Sequence, residues 1–372
     1  MAQLDTQFMQ QALELAARGA FSTSPNPQVG CVLVRDNQVV GSGWHERPGE
    51  PHAEVYALRE AGDRSHGATA YVTLEPCSHH GRTPPCADAL IKGRVSRVVV
   101  AMRDPNPLVA GQGIERLRQA GIDVEVGLLE QQAREVNRGF VSRMERQRPW
   151  LRLKMAMSLD GRTALANGKS QWITGAEARL DVHRYRAQSG AILTSARTVL
   201  MDQARMTARH PQAERQPLRI VLDRLRQLPP EHDFFAITSP VLRVVEQRDS
   251  AGGDEHWPEH VTTLALPVAK GRLPLRALFN KLIEYDINEV WTECGAELAG
   301  ALVAAELVDE FVIYMAPKLL GDSGRGLLQL PAFHGLEQVP ELTFESITQV
   351  GDDIRIIAYP KHGGAARGEI VS

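Results

Sequence analysis

One histidine and two cysteines in the first quarter of the chain have the types and order of metal ligands. His52 is followed by Cys77 and then by Cys86, and Glu54 lies two residues after the histidine. One imidazole and two thiolates hold zinc with a fourth coordination position left for water. A glutamate that is not a ligand can move the protons of that water. The pattern predicts a zinc site at His52, Cys77 and Cys86, with Glu54 as the catalytic residue of a hydrolytic deamination.

Each part of this pattern is weak on its own. A His-x-Glu pair on a helix is usually a solvated face, and two cysteines of a reduced protein can be inert core thiols. The proline before Cys77 and the order of the residues favour zinc, although the cysteine spacing is longer than the Pro-Cys-x-x-Cys of many zinc deaminases. We interpret His79 and His80 as loop residues, since a fourth protein ligand would close the catalytic position.

Predicted helices and strands carry these residues. Pro51 and Pro85 are suited to helix starts at the two ligand segments, so two helix N-termini can meet at one metal. A helix is expected from Asp5 to Gly19, and another helical stretch over 130–146. Short β-rich runs lie at 29–34, 71–74, 98–102 and 122–126.

Length and composition indicate two globular domains. The chain has 372 residues, of which 43% are hydrophobic and 23% charged, and one hydrophobic core rarely serves so long a chain. The pattern changes at Gln147-Arg148-Pro149. We therefore expect a deaminase domain at 1–148, a second domain at 149–360 and a flexible tail at 361–372.

Charge and cysteine content limit the partners and the compartment. The formal net charge is −3, and no long run of Lys and Arg occurs, so no nucleic-acid partner is expected. No stretch reaches the roughly 18 uninterrupted apolar residues of a membrane helix, so no membrane partner is expected either. Four cysteines are too few for a disulfide scaffold. These features favour a cytoplasmic enzyme of small-molecule substrates, and a homo-oligomer, a dimer or a tetramer, is expected on general grounds.

The second half predicts an α/β unit without a Rossmann phosphate loop. β-rich runs at 150–155, 191–194, 218–222, 289–292, 310–314 and 354–358 alternate with helical patterns at 176–188, 273–285 and 298–307. The nearest glycine string, Gly111-Gln-Gly113-Ile-Glu-Arg116, breaks the Gly-x-Gly-x-x-Gly pattern at its last position.

Several longer segments of the first half resemble the bifunctional pyrimidine deaminase/reductase family of riboflavin biosynthesis. They are Asn26-Pro-Gln-Val-Gly-Cys31, Gly-Glu-Pro-His52-Ala-Glu54, Thr73 to Cys86 and Asp104-Pro-Asn-Pro. The resemblance implies a cytidine-deaminase-like, three-layer α/β domain that binds one Zn²⁺. It also implies substrate contacts at Asn26, His45, Arg82 and Asn106, whose groups suit a polar ring and a phosphorylated sugar. Alternatively, Asn26 and Asn106 are turn formers beside proline.

Segments of the second half are similar to the reductase half of that family. They are Lys154 to Arg162, Ser170-Gln-Trp172-Ile-Thr, Arg186-Ala-Gln-Ser, Ala191-Ile-Leu-Thr and Glu293 to Gly300. The resemblance implies a dihydrofolate-reductase-like domain that binds NADPH. The implied cofactor contacts are Ala156, Trp172, Thr198, Asp202 and Gly295, and the implied substrate contacts are Ser170, Arg186, Met206, Arg209 and Glu293.

Some of these implied contacts have alternatives. A helix starting near Glu297 would point backbone N–H groups at a cofactor phosphate, but the same segment can be an ordinary strand-turn-helix connection. Trp172 can instead be a core anchor. The family usually has Asp-Asp-Pro where this chain has Asp202-Gln203-Ala204, so the loop should keep its contacts with a less rigid backbone, which puts the efficiency of reduction in doubt.

The resemblance implies two consecutive reactions. The first is deamination of 2,5-diamino-6-(5-phosphoribosylamino)pyrimidin-4(3H)-one, and the second is reduction of the ribosyl group to ribityl by NADPH. Asp202 and Glu293 are candidates for the proton donor of the reduction. Two other functions remain open at this point: a nucleoside or tRNA deaminase whose second half only binds a ligand, and a zinc-stabilised regulatory protein.

Overall fold

The computed structural model of the chain describes residues 2–78, 85–107, 109–248 and 256–361. The chain divides into two compact units, residues 1–148 and 149–372. Three expectations lie outside the described residues: the substrate contact at Arg82, the interpretation of His79 and His80, and the tail beyond Lys361. Within the described ranges, no helix combines the length and apolar character needed to cross a lipid bilayer.

The first unit has a five-stranded sheet with the order β2-β1-β3-β4-β5. The strands are β1 (Gly30–Arg35), β2 (Gln38–Trp44), β3 (Thr69–Leu74), β4 (Arg97–Met102) and β5 (Asp123–Val126). The helices are α1 (Ala2–Ala17), α2 (Ala53–Ala61), α3 (Cys86–Lys92), α4 (Gln112–Gln119), α5 (Glu130–Val136) and α6 (Arg138–Arg146). β1 runs antiparallel to β2 and β3, whereas β3, β4 and β5 are parallel. α1 and α5 cover one face and α2, α3 and α4 the other, which confirms the three-layer prediction.

Two glycines of β2 let α2 lie directly on the sheet. A Cβ at Gly41 would stand 2.2 Å from the Ala57 carbonyl oxygen, and one at Gly43 would stand 2.6 Å from the Ala53 carbonyl oxygen. No side chain tolerates such distances, so close backbone approach requires glycine at both positions. The N-terminus of α2, which carries His52 and Glu54, is thereby held against β2.

The predicted helical stretch over 130–146 is two helices, because Asn137 interrupts it. Its side-chain oxygen accepts a hydrogen bond from the Gln28 backbone N–H at 2.8 Å, and its side-chain nitrogen donates to the Gln28 carbonyl at 2.9 Å. These bonds tie the α5–α6 junction to the segment that precedes β1.

The second unit has a nine-stranded sheet with the order β11-β10-β9-β8-β12-β6-β13-β16-β15. The strands of the unit are β6 (Trp150–Ser158), β7 (Arg162–Ala164), β8 (Ala191–Ser195), β9 (Leu218–Leu222), β10 (Val241–Glu246), β11 (Val261–Leu266), β12 (Glu289–Glu293), β13 (Glu310–Ala316), β14 (Arg325–Gly326), β15 (Leu342–Val350) and β16 (Asp353–Pro360). The helices are α7 (Ala176–Gln188), α8 (Ala196–Asp202), α9 (Asp233–Ala236), α10 (Leu275–Lys281) and α11 (Ala296–Ala304). In this sheet order, neighbouring strands from β11 through β13 run parallel to each other. β16 pairs antiparallel with β13, and the β15–β16 hairpin forms that edge of the sheet.

Alternate residues of the large sheet enter two different cores. Leu153 and Leu193 pack with α10 and α11 in one core, whereas Trp291 and Tyr314 pack with α7 and α8 in the other. Since side chains alternate along a strand, Lys154 and Ala156 lie on the face that carries α7. The same face receives Glu293 from the neighbouring strand β12, which pairs with β6 at Lys154.

Candidate active sites

His52, Cys77 and Cys86 bring their ligand atoms together at two helix N-termini. His52 is the N-cap residue of α2, Cys86 is the first residue of α3, and Cys77 follows β3. His52 Nδ1 lies 3.2 Å from Cys86 Sγ and 3.7 Å from Cys77 Sγ. Tetrahedral zinc bonds to N and S separate such atoms by about 3.6 Å. These side chains therefore fit a zinc ion, and the described part of the chain holds no second cluster of this kind.

The environment of Cys77 favours its thiolate form. The Cys86 thiol donates to the Cys77 sulfur and lowers the pKa of Cys77 to about 4. The Cys86 backbone N–H at the start of α3 donates to the same sulfur at 3.3 Å. A thiolate is the form of cysteine that binds a metal, so the fold prepares this ligand before the ion arrives.

Glu54 is buried beside the three ligands. Its side chain is 3% exposed, and its Oε2 atom has no hydrogen-bond partner among the described residues. Burial raises the pKa of Glu54, although His52 acts in the opposite direction. A buried carboxyl with an unpaired oxygen next to a metal site is suited to accept and return protons.

Asn26 and His45 form a hydrogen-bonded pair next to the ligand cluster. Asn26 Nδ2 lies 3.0 Å from His45 Nε2, and His45 Nδ1 lies 3.3 Å from the Pro51 carbonyl oxygen. Burial lowers the pKa of His45, and a neutral ring that carries its proton on Nδ1 satisfies both contacts. The His45 ring meets the His52 ring edge-on, with centroids 5.2 Å apart. Asn26 is thus more than a turn residue.

The backbone of Asn106 belongs to a turn. Its N–H donates to Asp104 Oδ1 at 2.8 Å, and its carbonyl accepts from Val109 and Ala110. This is the behaviour that the turn-former alternative predicts. These turn hydrogen bonds use only the backbone of Asn106.

In the second unit, the predicted substrate residues Arg186 and Glu293 form a partly buried ion pair. Arg186 Nε lies 2.5 Å from Glu293 Oε1, and Arg186 Nη2 lies 2.9 Å from Glu293 Oε2. Trp291 Nε1 also donates to Glu293 Oε1, at 2.7 Å. Burial raises the pKa of Glu293, but Arg186 overcomes this and lowers it to about 2. Glu293 is therefore ionised at neutral pH.

The altered loop after Asp202 is anchored through its backbone. Arg186 Nη1 donates to the Thr207 carbonyl at 3.0 Å, and the Gln216 side-chain amide pairs with both the N–H and the carbonyl of Ala208 at 2.9 Å. Arg209 Nη1 donates to Thr207 Oγ1 at 3.1 Å. Met206 is only 4% exposed, and its sulfur lies 3.9 Å from Arg186 Nη2.

Lys154 and Asp202 lie in the electrostatic field of the same group of residues. Burial lowers the pKa of Lys154, while the Glu293 carboxylate acts to raise it. Partial burial raises the pKa of Asp202, and Arg325 and Lys154 act against this shift. Lys154 lies in a segment that carries the family resemblance, but that resemblance implies no contact for its side chain.

The predicted cofactor contacts are spread over β6 and two helix starts. Trp172 is 64% exposed, which rules out the core-anchor alternative, and the Arg179 guanidinium covers its ring at 4.7 Å. Gly295 is the N-cap of α11, which has no side-chain cap, and no atom lies within 4 Å of a Cβ built there. Thr198 shares a hydrogen bond with Ser195 at the start of α8. Neither Ser170 nor Ala156 is buried.

Fold and site together define a two-domain enzyme, with a zinc-dependent deaminase domain of the cytidine-deaminase type and a reductase domain of the dihydrofolate-reductase type. Residues 2–102 match the family model of the cytidine and deoxycytidylate deaminase zinc-binding region. Residues 149–356 match the model of the RibD C-terminal domain.

Known relatives agree with both matches over nearly the whole chain. The riboflavin biosynthesis protein RibD of Escherichia coli is 51% identical over 362 residues, which cover 94% of this chain and 98% of the relative. The solved structure of Acinetobacter baumannii RibD has 44% identity and a TM-score of 0.89, and the match covers 97% of this chain and 99% of that one. A Thermotoga maritima structure, described as a diaminohydroxyphosphoribosylaminopyrimidine deaminase/5-amino-6-(5-phosphoribosylamino)uracil reductase, has 31% identity and a TM-score of 0.86, with 96% and 99% of the two chains covered.

The chain belongs to the RibD family, the bifunctional deaminase/reductases of riboflavin biosynthesis. The predicted family, fold, activity, zinc and NADPH are thereby confirmed. A single-function deaminase and a regulatory protein are both excluded, because both catalytic halves match the family.

Proposed function

We propose that the residues grouped at the two sites divide the family's two reactions between them. His52, Cys77 and Cys86 would hold zinc, which when bound lowers the pKa of a water molecule toward about 7. Glu54 accepts a proton from that water and passes protons to the ring nitrogen and to the departing amino group, which leaves as ammonia. The supporting observation is the unpaired, buried Oε2 of Glu54 beside the three ligand side chains.

We further propose that Asn26 and His45 contact the pyrimidine, together with Arg82 and Asn106. The Asn26–His45 hydrogen bond and the edge-on contact of His45 with His52 support a place next to the metal. A neutral imidazole held by two partners presents a fixed face to a polar ring.

For the reduction, NADPH supplies the hydride, and the residues on the α7 face of the large sheet bind and orient the reactants. Ala156, Trp172, Thr198, Asp202 and Gly295 would contact the cofactor. Ser170, Arg186, Met206, Arg209 and Glu293 would contact the substrate. Glu293 is held ionised by Arg186, so it is suited to accept hydrogen bonds from sugar hydroxyls. Burial lowers the pKa of Lys154 and raises that of Asp202, and these two residues, rather than the ionised Glu293, are the proposed candidates for the proton source of the nitrogen.

We also propose that the enzyme is a cytoplasmic homo-oligomer, a dimer or a tetramer. The described cysteines are all free thiols, which suits a reducing compartment. The edge strand β15 exposes Phe344 and Ile347 at 64% and 62%, and large exposed apolar residues of this kind often lie at protein interfaces. Sedimentation of the purified protein tests the oligomeric state directly.

The activity itself is tested by supplying the diaminopyrimidinone ribotide together with NADPH and following ammonia and nicotinamide absorbance. Both signals are expected in sequence, because the product of the first unit is the substrate of the second. Ammonia without NADPH consumption would reduce the proposal to deamination alone. A protein that gives neither signal while retaining zinc would refute it.

A further inference from the structure

Glu75 is a buried carboxylate that accepts four backbone hydrogen bonds from one segment of the first unit. The side chain is 5% exposed. Its Oε2 accepts from Asp104 N at 3.2 Å and Gly111 N at 2.9 Å. Its Oε1 accepts from Gly113 N at 2.9 Å and Ile114 N at 3.3 Å. Both oxygens are thus fully used within the protein, and none of the roles assigned above uses this residue.

These bonds replace a missing helix cap. α4 begins after Gly111, which has no side chain to accept from the first N–H groups of the helix. Such groups need a partner when they are buried, and the positive end of the helix dipole favours an anion there. Glu75 lies far away in the sequence, so it caps α4 from another part of the fold.

A second close contact holds the first turn of α4 next to the segment that leads to Cys77. A Cβ at Gly113 would stand 1.8 Å from the Pro76 carbonyl oxygen, so the first turn of α4 packs directly on the residue that precedes Cys77. In addition, Glu75 N donates to the Met102 carbonyl at 3.0 Å. The parallel strands β3 and β4 end side by side, at Leu74 and Met102. The segment that carries Cys77 and the segment that begins at Arg103 therefore leave one edge of the sheet together.

We infer that Glu75 is a positioning residue of the deaminase, which holds residues 103–107 and 109–111 against Pro76 and the proposed zinc ligand Cys77. The turn at Asn106 is part of that segment, so its position relative to the metal ligands depends on Glu75. The inference rests on the proposed assignment of Asn106 to the substrate. It predicts that Glu75 affects substrate binding more than zinc binding.

The test is Glu75→Gln in the full chain, with Glu115→Gln as the matched control. The amide keeps the shape of Glu75 but turns one acceptor oxygen into an NH₂ group that faces backbone N–H donors. Glu115 is an exposed residue in the first turn of α4. Its side chain accepts a hydrogen bond from the exposed side chain of Gln119. We expect Glu75→Gln to raise the KM of ammonia release about tenfold or more, the effect of leaving a buried donor unpaired. Zinc content and NADPH reduction of the deaminated substrate should match the control.

Hydrogen exchange keeps the inference testable if the variant folds poorly. In the wild-type protein, the amides of Gly113 and Ile114 should exchange slowly, although first-turn amides of a helix normally lack intrahelical partners. Gly113→Ala, which retains Glu75 but pushes α4 away from Pro76, should also raise KM.

Three results would overturn the inference. These are rapid exchange of the two amides in the wild type, a KM of Glu75→Gln within about twofold of the Glu115→Gln value, and loss of zinc from Glu75→Gln, which would assign the residue to the metal site. Failure of the proposed Asn106 contact is recognised separately, because Asn106→Ala would then leave KM unchanged while the amides of Gly113 and Ile114 stay protected.

Discussion

The ion pair between Arg186 and Glu293 offers a quantitative test of the second site. Replacing Arg186 by methionine retains much of its length but removes its charge. Glu293 would then remain buried with Trp291 as its close hydrogen-bond donor. The two side chains of the pair are 12% and 13% exposed, so water can replace little of the lost interaction.

Breaking a buried ion pair from one side costs about 3–5 kcal/mol. For a unit of this size, each kcal/mol lowers the unfolding temperature by about 2–4 °C, so Arg186→Met should lower that of the second unit by roughly 6–20 °C. Replacing both partners, as in Arg186→Met with Glu293→Gln, removes the two charges of the pair together, so neither is left without the other. The double variant should therefore be more stable than the sum of the single effects predicts, by about 1–3 kcal/mol.

The pKa of Glu293 determines how the stability contribution of this ion pair changes with pH. In the wild type, Arg186 keeps the pKa of Glu293 near 2, below its ordinary value of 4.5. This ion pair therefore contributes stability above pH 4.5, and the contribution is lost as the pH falls toward 2. In Arg186→Met the effect of burial is no longer opposed by the arginine, so the pKa of Glu293 rises. The stability deficit of the variant should then be largest near neutral pH and shrink in acid.

Tryptophan fluorescence can follow this unfolding, because the second unit contains Trp150, Trp172, Trp257 and Trp291, whereas the first contains Trp44. Ammonia release reports that the first unit remains folded. Arg205→Met, which removes an exposed arginine from the neighbouring segment, is the control. A shift of Arg186→Met within about 2 °C of that control, or strictly additive effects in the double variant, would refute the energetic role assigned to the pair.

Three further perturbations separate the two sites. Glu54→Gln should retain zinc and lower the rate of ammonia release by a factor of about 10²–10⁴, with reduction of the deaminated substrate unchanged; undiminished turnover would remove the role assigned to Glu54. Chelation of zinc should abolish ammonia release reversibly and spare NADPH oxidation with the deaminated substrate, whereas loss of both activities would contradict a metal confined to the first unit. Trp172→Ala should raise the KM for NADPH and change stability by less than about 0.5 kcal/mol, because the ring is 64% exposed; Trp172→Phe is the matched variant, and an unchanged KM in Trp172→Ala would argue against cofactor contact.

The grouping of His52, Cys77 and Cys86 could be predicted from the sequence because their positions depend on local signals. Proline before His52 and before Cys86 predicts two helix starts, and the structure places both residues at helix N-termini. Cys77 follows β3, which the β-rich run at 71–74 predicts. The meeting of the three segments was predicted from the ligand types and their order, and the family resemblance supported it, because nothing local determines how two helices and a strand end converge.

Elements that depend on distant contacts could not be predicted in the same way. β2 contains Gly41 and Gly43, which count against a strand by propensity, yet both glycines are needed for α2 to pack on the sheet. The break at Asn137 depends on Gln28, which is far away in the sequence. The edge strand β15 exposes most of its residues, so its hydrophobic alternation is too weak to indicate a strand.

A family pattern indicates which residues belong to a site, but it does not indicate whether each side chain is buried or exposed. Met206 carries the pattern of the altered loop, but its side chain is buried against Arg186. Trp172 had a core position as its alternative, and the structure exposes it. Glu75 belongs to a segment that the sequence analysis singled out, but its bonds to backbone N–H groups of residues 104–114 carry no sequence signature, because a backbone donor is present at every residue except proline.

The sequence around Lys154 does not show whether this charged residue faces solvent or lies in the middle of a sheet, whereas the structure does. Arg152 and Lys154 alternate with Leu151, Leu153 and Met155, which is also the pattern of a strand with one solvated face. β6 is instead a central strand between β12 and β13, where an unpaired charge is costly. Arg152 is compensated by Glu289 and Glu310. Lys154 lies two residues further toward the carboxyl end of the strand, opposite Glu293, so the same alternation that would indicate solvent at a sheet edge here places Lys154 beside the proposed substrate residue Glu293.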